Sequence, residues 1–484
     1  MSIKLQDEYQ TRLAKLTKIK EQGIDPYPAS FKCSHEIAAA AQLKLGAKNI
    51  KVAGRLLTVR VMGKLTFANL QDGTGKIQLA FQHDDVGKNQ YNFFTKLIDS
   101  GDFIGVSGEL FKTHKGERTI KVKEYKLLAK ALRGLPEKWH GLKDEETRYR
   151  KRYLDLISNP AVREVFLKRT QFIKAMREYL DNKGFLEVET PVLELIPGGA
   201  EAEPFMTHHN TLDIDLYLRI SLELHLKRLV VGGFDKVYEI GKVFRNEGMS
   251  TQHLQEFTLL EFYLGYADYE ALMKFVQDFY TTIIKQTFGS LKIEYQGGVI
   301  DFKTPWARVD YVEILKKLAR VDVTKATAAQ LREALEKYNV KVEKSAGRGR
   351  LIDQLYKKVV RPTLVQPTFL INHPVEVSPL AKRQTDNLLV AQRMQVLVAG
   401  AEVGNGFSEL NDPVDQRERF LEQMKLRQAG DKEAQMMDED FLEALEHGLP
   451  PTAGFGVGID RLLLILTNQE SIRDVVLFPT MRPN

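Results

Sequence analysis

The sequence predicts an α+β protein, and three stretches of the chain carry that prediction. Residues 50–129 contain five short β-rich segments separated by glycine-containing turns. Residues 162–180 place their apolar side chains on one helical stripe. Residues 236–264 form two apolar, β-rich arms joined by the charged loop 245–255. Since 484 residues are too many for one hydrophobic core, we expect two or three domains.

The composition is that of a soluble globular protein, with 43% hydrophobic and 28% charged residues. No apolar run is long enough to cross a bilayer, and the N-terminus has no apolar signal core. The single Cys33 rules out an internal disulfide and disfavours a cysteine zinc site. The adjacent His208 and His209 would point to opposite sides of an extended chain, so we predict no zinc. Together these features favour a cytoplasmic protein that does not associate with membranes.

Positive charge is concentrated in the first third of the chain. The net charge is +6, yet residues 1–150 contain 27 lysines and arginines against 17 acidic residues. This imbalance favours contact between that region and a polyanion such as nucleic acid. A solvated, lysine-rich surface would produce the same charge count.

The β-rich region is typical of a five-stranded barrel. We expect its strands at residues 50–61, 64–71, 75–82, 103–113 and 117–129. A helix near residues 91–97, between the third and fourth strands, favours an OB-fold, which commonly binds single-stranded nucleic acid through stacked bases and basic side chains. Phe67 and Gln78 are candidate base contacts, and Glu117 could accept a hydrogen bond from a base edge. For Phe67 alone, a place in the barrel core is the simpler interpretation.

Acidic residues lie inside the second apolar arm. Glu261 and Tyr263 are two residues apart and therefore share one face of the strand. A buried carboxylate is costly unless a cation meets it. Arg245 and His253 in the loop suit a phosphate or a carboxylate. The segment fits a ligand with both charges, such as an amino acid beside a nucleotide, and fits a hairpin with paired surface charges equally well.

A second candidate binding segment is Gly404–Leu410. If it is a strand, Asn405, Phe407 and Glu409 share one face and form a slot for an alkyl ammonium group. Glu402, three residues before Asn405, would then fall on the other face. A turn-rich loop is the alternative, because the segment contains two glycines.

A third candidate segment is Gly454–Arg461. Its closely spaced glycines would let a flat ligand approach the backbone, and Arg461 could reach a phosphate. A Gly-x-Gly-x-Gly pattern is a weak signal when it stands alone.

In this order, three segments resemble the signature motifs of class II aminoacyl-tRNA synthetases. They are Gly184–Pro191, Phe244–Thr258 and Gly454–Arg461. The resemblance is closest to the lysyl-tRNA synthetases of class IIb and covers almost the whole chain. Supporting stretches are Arg150–Leu156, Ile196–Ala200, Asn405–Leu410 and Arg473–Pro479. The resemblance implies a catalytic domain with an antiparallel sheet flanked by helices, and a homodimer.

The resemblance also implies a division of the chain into domains. We expect a helical extension at 1–48, an OB-fold anticodon-binding domain at 49–132, a linker at 133–160 and a catalytic domain at 161–484. A helical insertion is expected within the catalytic domain at about 305–365.

The activity that the resemblance implies is the joining of lysine to tRNA(Lys). Lysine and ATP would form lysyl-adenylate and pyrophosphate, and the lysyl group would pass to the 3′ end of the tRNA. The implied catalytic residues are Arg245 and Arg461. The implied ATP-binding residues are Arg245, Glu247, His253, Phe257, Glu402 and Arg461. The implied lysine-binding residues are Gly199, Glu223, Arg245, Glu261, Tyr263, Asn405, Phe407, Glu409 and Gly456. Phe67, Gln78 and Glu117 correspond to the residues that read the anticodon.

Two positions depart from the family pattern. Members usually have an acidic residue seven positions before Glu402, and both carboxylates hold Mg²⁺. Gln395 occupies that position in this chain, and a neutral amide is a weaker ligand for a hard cation. We expect Mg²⁺ to bind through Glu402 and the ATP phosphates. The loop also reads His253-Leu-Gln-Glu256, where many members have Asn-Pro between the histidine and the glutamate.

Three alternatives are weighed against this interpretation. An enzyme that lysylates a protein would resemble the catalytic half, but the basic N-terminal domain argues against it. An aspartyl- or asparaginyl-tRNA synthetase would share the architecture, but its substrate would not suit Glu409. A non-catalytic nucleic-acid-binding protein would need neither Arg245 nor Arg461, although Gln395 keeps that alternative open.

Overall fold

The structure is a computed structural model that describes residues 3–136, 142, 144–343 and 346–483. It divides into two compact units, residues 1–143 and 144–484. Each unit has its own hydrophobic core. Among the described residues, no helix combines the length and the apolar character that crossing a membrane would require.

The first unit is a closed five-stranded barrel with helices around it. Its elements are α1 (Ile3–Glu21), α2 (Ile37–Gln42), β1 (Ile50–Met62), β2 (Leu65–Gln71), β3 (Lys76–Gln82), α3 (His83–Val86), α4 (Lys88–Leu97), β4 (Phe103–Lys112) and β5 (Arg118–Ala129). The strand order is β1-β2-β3-β5-β4, and β4 closes the barrel against β1. The five predicted strands and the predicted helix near 91–97 are therefore confirmed.

Alternation along the barrel strands separates a buried face from an outer one. On β2, Thr66, Ala68 and Leu70 are buried, whereas Phe67 and Asn69 lie on the outer face. The simpler interpretation of Phe67 as a core residue is wrong, because its position in the alternation turns its ring outward.

The second unit contains an eight-stranded sheet with helices on both faces. Its elements up to residue 288 are α5 (Glu145–Arg150), α6 (Arg152–Ser158), α7 (Pro160–Asn182), β6 (Leu186–Glu187), β7 (Leu193–Glu194), β8 (Met206–His209), β9 (Ile214–Leu218), α8 (Glu223–Val231), β10 (Lys236–Phe244), β11 (Glu256–Gly265) and α9 (Tyr269–Phe288). The later elements are β12 (Lys292–Tyr295), β13 (Gly298–Asp301), β14 (Ala307–Asp310), α10 (Tyr311–Ala319), α11 (Ala328–Lys337), α12 (Arg348–Val359), β15 (Thr368–Ile371), β16 (Arg393–Val398), β17 (Ala401–Ser408), α13 (Pro413–Gln428), α14 (Glu439–Glu446), β18 (Thr452–Gly458) and α15 (Ile459–Leu466).

The sheet has the strand order β14-β15-β16-β17-β18-β11-β10-β6. Its inner pairs are antiparallel, and only the two edge pairs, β14 with β15 and β6 with β10, are parallel. This confirms the α+β class and the antiparallel sheet flanked by helices.

The two faces of the central strand β11 have different neighbours. Leu260 and Phe262 belong to the core cluster that α7 and α9 cover, as does Phe279 of α9. Glu261 and Tyr263 point to the opposite face, where α8, α13 and α14 pack. The period of two along this strand therefore places acidic and aromatic side chains away from the main core.

Two predicted segments differ from their description in the sequence. The first residues of the expected helical insertion form β14, which is an edge strand of the large sheet, so the helical part begins at Tyr311. Of that insertion, residues 344–345 lie outside the described residues.

In the expected linker, residues 137–141 and 143 lie outside the described residues. The helices α5 and α6, which fall within the expected linker, belong to the second unit. Arg152 of α6 is buried there and pairs with Asp155 at 2.8 Å.

Candidate active site

One cavity of about 300 Å³ lies against the face of the sheet that carries Glu261 and Tyr263. It is lined by every residue predicted to contact ATP or lysine: Gly199, Glu223, Arg245, Glu247, His253, Phe257, Glu261, Tyr263, Glu402, Asn405, Phe407, Glu409, Gly456 and Arg461. Gln395 does not line the cavity but contacts Glu402. The structure therefore brings together residues that span more than 260 positions of the chain.

Strand register explains the floor of this cavity. Gly456 of β18 lies between Glu261 of β11 and Asn405 of β17, and Gly454 lies between Tyr263 and Phe407. The middle strand has no side chains at these two positions. The absence of a Cβ atom at Gly454 makes room for Glu409 and the Tyr263 ring, and at Gly456 the nearest atom to a Cβ would be Glu261 Cγ at 3.5 Å.

One end of the cavity is acidic. Glu261 accepts hydrogen bonds from Ser221 Oγ at 2.7 Å, the Leu222 backbone N–H at 3.2 Å and the Tyr263 hydroxyl at 3.2 Å. Burial and then the neighbouring charge of Glu223 raise the pKa of Glu261 to about 7. Burial likewise raises the pKa of Glu409 well above its usual value. A cationic ligand at this end would therefore stabilise the ionised carboxylates.

Gly199 lies beside these carboxylates in a conformation that favours glycine. Its φ is +83°, and a Cβ atom there would stand 2.9 Å from Glu223 Cβ and 3.0 Å from Ser221 Oγ. The glycine lets the chain pass close to the first turn of α8, so that the acidic end keeps its shape.

A second group of cavity residues is cationic. The guanidinium carbon of Arg245 lies 5.2 Å from the centre of the Phe257 ring, and its Nε donates to the Ile220 carbonyl at 3.3 Å. Arg461 Nη1 donates to the Glu402 backbone carbonyl at 3.0 Å. Within the described ranges, Arg461 Nε is buried without a hydrogen-bond partner. Burial lowers the pKa of both arginines, which remain cations suited to phosphate oxygens.

The ring of His253 lies close to several cations. Partial shielding from water and then neighbouring cations lower its pKa to about 4, so that the ring is neutral at pH 7. The cations are Arg461, Arg361, Lys357 and Arg245. Its Nδ1 lies 2.8 Å from Ser250 Oγ.

The prediction that Glu402 and Asn405 lie on opposite faces of a strand is wrong. Glu402 lines the same cavity as Asn405, although an odd separation of three residues predicted opposite faces. The pairing of β16 with β17 contains an irregularity, because Leu397 pairs with Glu402 while Val396 pairs with Gly404. This bulge inserts one extra residue and reverses the alternation.

Gln395 contacts Glu402 directly. Its Nε2 donates to Glu402 Oε2 at 2.9 Å, and its Oε1 accepts from the Tyr356 hydroxyl at 3.3 Å. In this arrangement the amide oxygen faces Tyr356 and the NH₂ group faces the carboxylate. Within the described part of the chain, no group of three His, Cys, Asp or Glu side chains could hold a metal ion. At this point the protein offers a hard cation one carboxylate, that of Glu402, which lines the cavity.

Two functional candidates were missed from the sequence. Lys227 is completely buried between Glu223 and Glu409, and its only sequence signal is the i, i+4 spacing from Glu223 on a helix. Arg393 lines the cavity and donates through Nε to Asn405 Oδ1 at 2.9 Å. Nothing in the local sequence distinguishes Arg393, because the pairing of β16 with β17 decides its contact.

The three anticodon candidates lie on the barrel of the first unit. Gln78 Nε2 donates to Glu117 Oε2 at 2.6 Å, and Gln78 Oε1 accepts from Thr119 Oγ1 at 2.8 Å. Phe67 lies on the neighbouring strand, opposite Ala80. The outward ring of Phe67 can stack on a base. Gln78 and Glu117 can replace their mutual hydrogen bond by hydrogen bonds to a base edge.

Comparison with known proteins agrees with both units. Residues 144–482 match the family described as tRNA synthetases class II (D, K and N), and residues 50–128 match the OB-fold nucleic acid binding domain. The chain is 51% identical to a lysine–tRNA ligase of Moorella thermoacetica over 98% of this chain and 97% of the relative. It is 49% identical to a lysine–tRNA ligase of Bacillus subtilis over 99% of this chain and 98% of the relative. The chain belongs to the class II tRNA synthetases of the D, K and N group.

Proposed function

We propose that this protein is a lysine–tRNA ligase. It activates L-lysine with ATP to lysyl-adenylate and pyrophosphate, and then transfers the lysyl group to the 3′ end of tRNA(Lys). One observation carries the proposal: a single cavity is lined by three buried carboxylates and by two arginines. The similarity to lysine–tRNA ligases over nearly the whole chain supports it.

Charge complementarity favours lysine over the other substrates of this family. Lysine has two ammonium groups, which match the acidic end formed by Glu223, Glu261 and Glu409. The side chain of aspartate would bring a further negative charge beside Glu409, and the amide of asparagine would leave that buried carboxylate without a cationic ligand. The ring of Phe407 lines the cavity next to Glu409 and can cover the methylene groups of a lysine side chain.

Activation proceeds by positioning and charge stabilisation. The carboxylate of lysine attacks the α-phosphate of ATP, and pyrophosphate leaves. Arg245 would hold the lysine carboxylate and the α-phosphate, and Arg461 would bind the outer phosphates through its unpaired nitrogen. Phe257 would stack on adenine, while Glu247 and His253 would contact the nucleotide from the loop. Fixed cations aimed at the developing charge are the main source of rate enhancement in such a reaction.

Mg²⁺ fits this site with one carboxylate from the protein. Glu402 would hold the ion together with the ATP phosphates, and the ion would supply further neutralisation of phosphate charge. Gln395 orients Glu402 through its amide hydrogen bond instead of offering a second carboxylate.

Binding of tRNA is assigned to the barrel. Phe67 would stack on an anticodon base, and Gln78 with Glu117 would contact base edges. The presence of this barrel disfavours an enzyme that lysylates only a protein. A homodimer and a cytoplasmic location are further proposals, which rest on the resemblance to the family.

The decisive experiment is ATP–pyrophosphate exchange on the purified protein with each of the twenty amino acids and Mg²⁺. We expect exchange with lysine alone. Exchange with aspartate or asparagine would refute the assignment of the acidic pocket, and no exchange with any amino acid would favour a binding role. Charging of tRNA(Lys) with labelled lysine then tests the second step.

A further inference from the structure

Lys227 is a buried cation that does not line the proposed lysine pocket but pairs with two of the carboxylates that do. Its side chain is 0% exposed, and its Nζ lies 2.6 Å from Glu223 Oε1 and also pairs with Glu409 Oε2. The rings of Phe407 and Phe441 lie 5.5 Å and 5.7 Å from the same nitrogen. The ammonium group therefore bridges a carboxylate of α8 and the carboxylate that follows β17.

The charge of the pocket depends on this residue. When Glu223, Glu261 and Glu409 are all ionised, they contribute three negative charges, and Lys227 pairs with two of them. Arg393 and Arg245 also line the cavity, and their charges interact with Glu223 and Glu261 without forming an ion pair. Without Lys227, none of the three carboxylates would have an ion pair among the described residues, and buried carboxylates in that condition take up protons instead of remaining charged.

Glu409 keeps its capacity to accept a second cation. It is 1% exposed, and among the described residues neither of its oxygens accepts a hydrogen bond of normal geometry. Its close contact is the ion pair through Oε2, which leaves Oε1 unengaged. A carboxylate can accept hydrogen bonds at both oxygens. Lys227 thus holds one side of Glu409 and leaves the other for a ligand.

We propose that Lys227 is a positioning residue that keeps Glu409 and Glu223 ionised and correctly oriented before the substrate arrives. This inference rests on the proposed function and concerns lysine specificity. Lys227 acts through the two glutamates and does not itself contact the reacting atoms.

Lys227 opposes the effect of burial, which raises the pKa of both Glu223 and Glu409 above the usual value. Burial alone would lower the pKa of Lys227, but Glu223 and Glu409 outweigh it, so the pKa lies above its usual value and the amine stays charged. Burial raises the pKa of Glu409, Lys227 opposes that shift, and Glu223 and Glu261 reinforce it. Tyr263 also faces these carboxylates, and its own raised pKa keeps it neutral. Removing Lys227 would push the pKa of Glu409 higher still.

The test uses the full-length protein and lysine-dependent ATP–pyrophosphate exchange from pH 6 to pH 9. We expect Lys227→Met to raise the KM for lysine at least tenfold and leave the KM for ATP unchanged. In the profile of kcat/KM for lysine against pH, we also expect the acidic limb to shift to higher pH. The reason is that the ionised form of Glu409 is lost as pH falls through the pKa of Glu409, which the substitution raises further. Arg228→Met is the matched control, since Arg228 is next on the same helix and pairs with Asp438 outside the cavity.

A double-mutant cycle separates positioning from a general structural effect. If Lys227 acts through Glu409 as well as Glu223, Lys227→Met will raise the KM for lysine by a smaller factor in the Glu409→Gln background than in the wild-type protein. Additive effects of the two substitutions would overturn the inference, as would an unchanged acidic limb in Lys227→Met. If Lys227→Met does not fold, Lys227→Arg is the second variant, because it keeps the charge. We expect Lys227→Arg to retain the wild-type acidic limb of kcat/KM for lysine, and a shift of that limb would contradict the inference. No lysine-dependent exchange in the wild-type protein would overturn the proposed function itself, which is a distinct outcome.

Discussion

Replacing Gly454 by alanine tests how the pocket is built. Gly454 lies on β18 between Tyr263 and Phe407. A methyl group at this position would overlap Glu409 Oε1 and the Tyr263 ring, whose Cδ1 atom would stand only 2.8 Å away. Both neighbours are buried, at 1% exposed for Glu409 and 3% for Tyr263, and both line the cavity, so the added methyl group would displace them from their present positions.

The size of the effect follows from overpacking. Inserting a methyl group into a well-packed interior costs about 1–3 kcal/mol. If Glu409 has to occupy its present position to bind lysine, that cost opposes binding, and the dissociation constant rises by a factor of roughly 5 to 150. ATP binding should be unchanged, because the nearest atoms to the added methyl group belong to Glu409 and Tyr263 and not to Arg245 or Arg461.

Calorimetric titration of lysine, and separately of ATP, measures both expectations. Gly458→Ala is the comparison variant, since Gly458 lies on the same strand and also lines the cavity, but a Cβ atom there would meet nothing within 4 Å. Lysine affinity of Gly454→Ala within twofold of the wild type would refute the assigned positions of Glu409 and Tyr263. Equal losses for lysine and ATP would show that the substitution disturbs the whole sheet.

Three other substitutions or titrations test separate parts of the proposal. Arg245→Ala should lower ATP–pyrophosphate exchange at least 100-fold, because a buried cation for the α-phosphate is lost; near-normal exchange would contradict its role. Phe67→Ala should raise the KM for tRNA(Lys) in aminoacylation about tenfold, from the loss of one stacked base, while exchange stays unchanged; equal losses in both assays would refute the division of labour. The pKa of His253, followed by NMR, should lie at about 4 in the free protein and rise when ATP binds, since phosphate charge offsets the nearby cations. Because this pKa is lowered from 6.5 on folding, the stability it contributes is present above about pH 6.5 and is lost as pH falls towards 4.

Local patterns were sufficient for the secondary structure near the site. The two arms at 236–264 became β10 and β11, and the period of two correctly placed Glu261 and Tyr263 on one face. The glycine-containing turns marked the five barrel strands for the same reason, since turn chemistry and alternation are encoded within a few residues.

Local patterns failed where pairing between strands decides the outcome. The predicted face of Glu402 was wrong, because a bulge between β16 and β17 reverses the alternation and no residue in the segment signals it. Phe67 was expected in the core when considered alone, since the register of a single strand does not reveal which of its faces closes onto the barrel interior.

By itself, the sequence determined the α+β class, the basic barrel region, the charged loop and the order of the three motifs, because each depends on composition or on neighbours within a few positions. Only the tertiary structure decided the charge balance of the pocket. The burial of Lys227 between Glu223 and Glu409, and the contact of Arg393 with Asn405, join residues on different elements. Burial makes those contacts strong, because charges removed from water interact far more strongly than charges on the surface, and burial is a property of the folded chain.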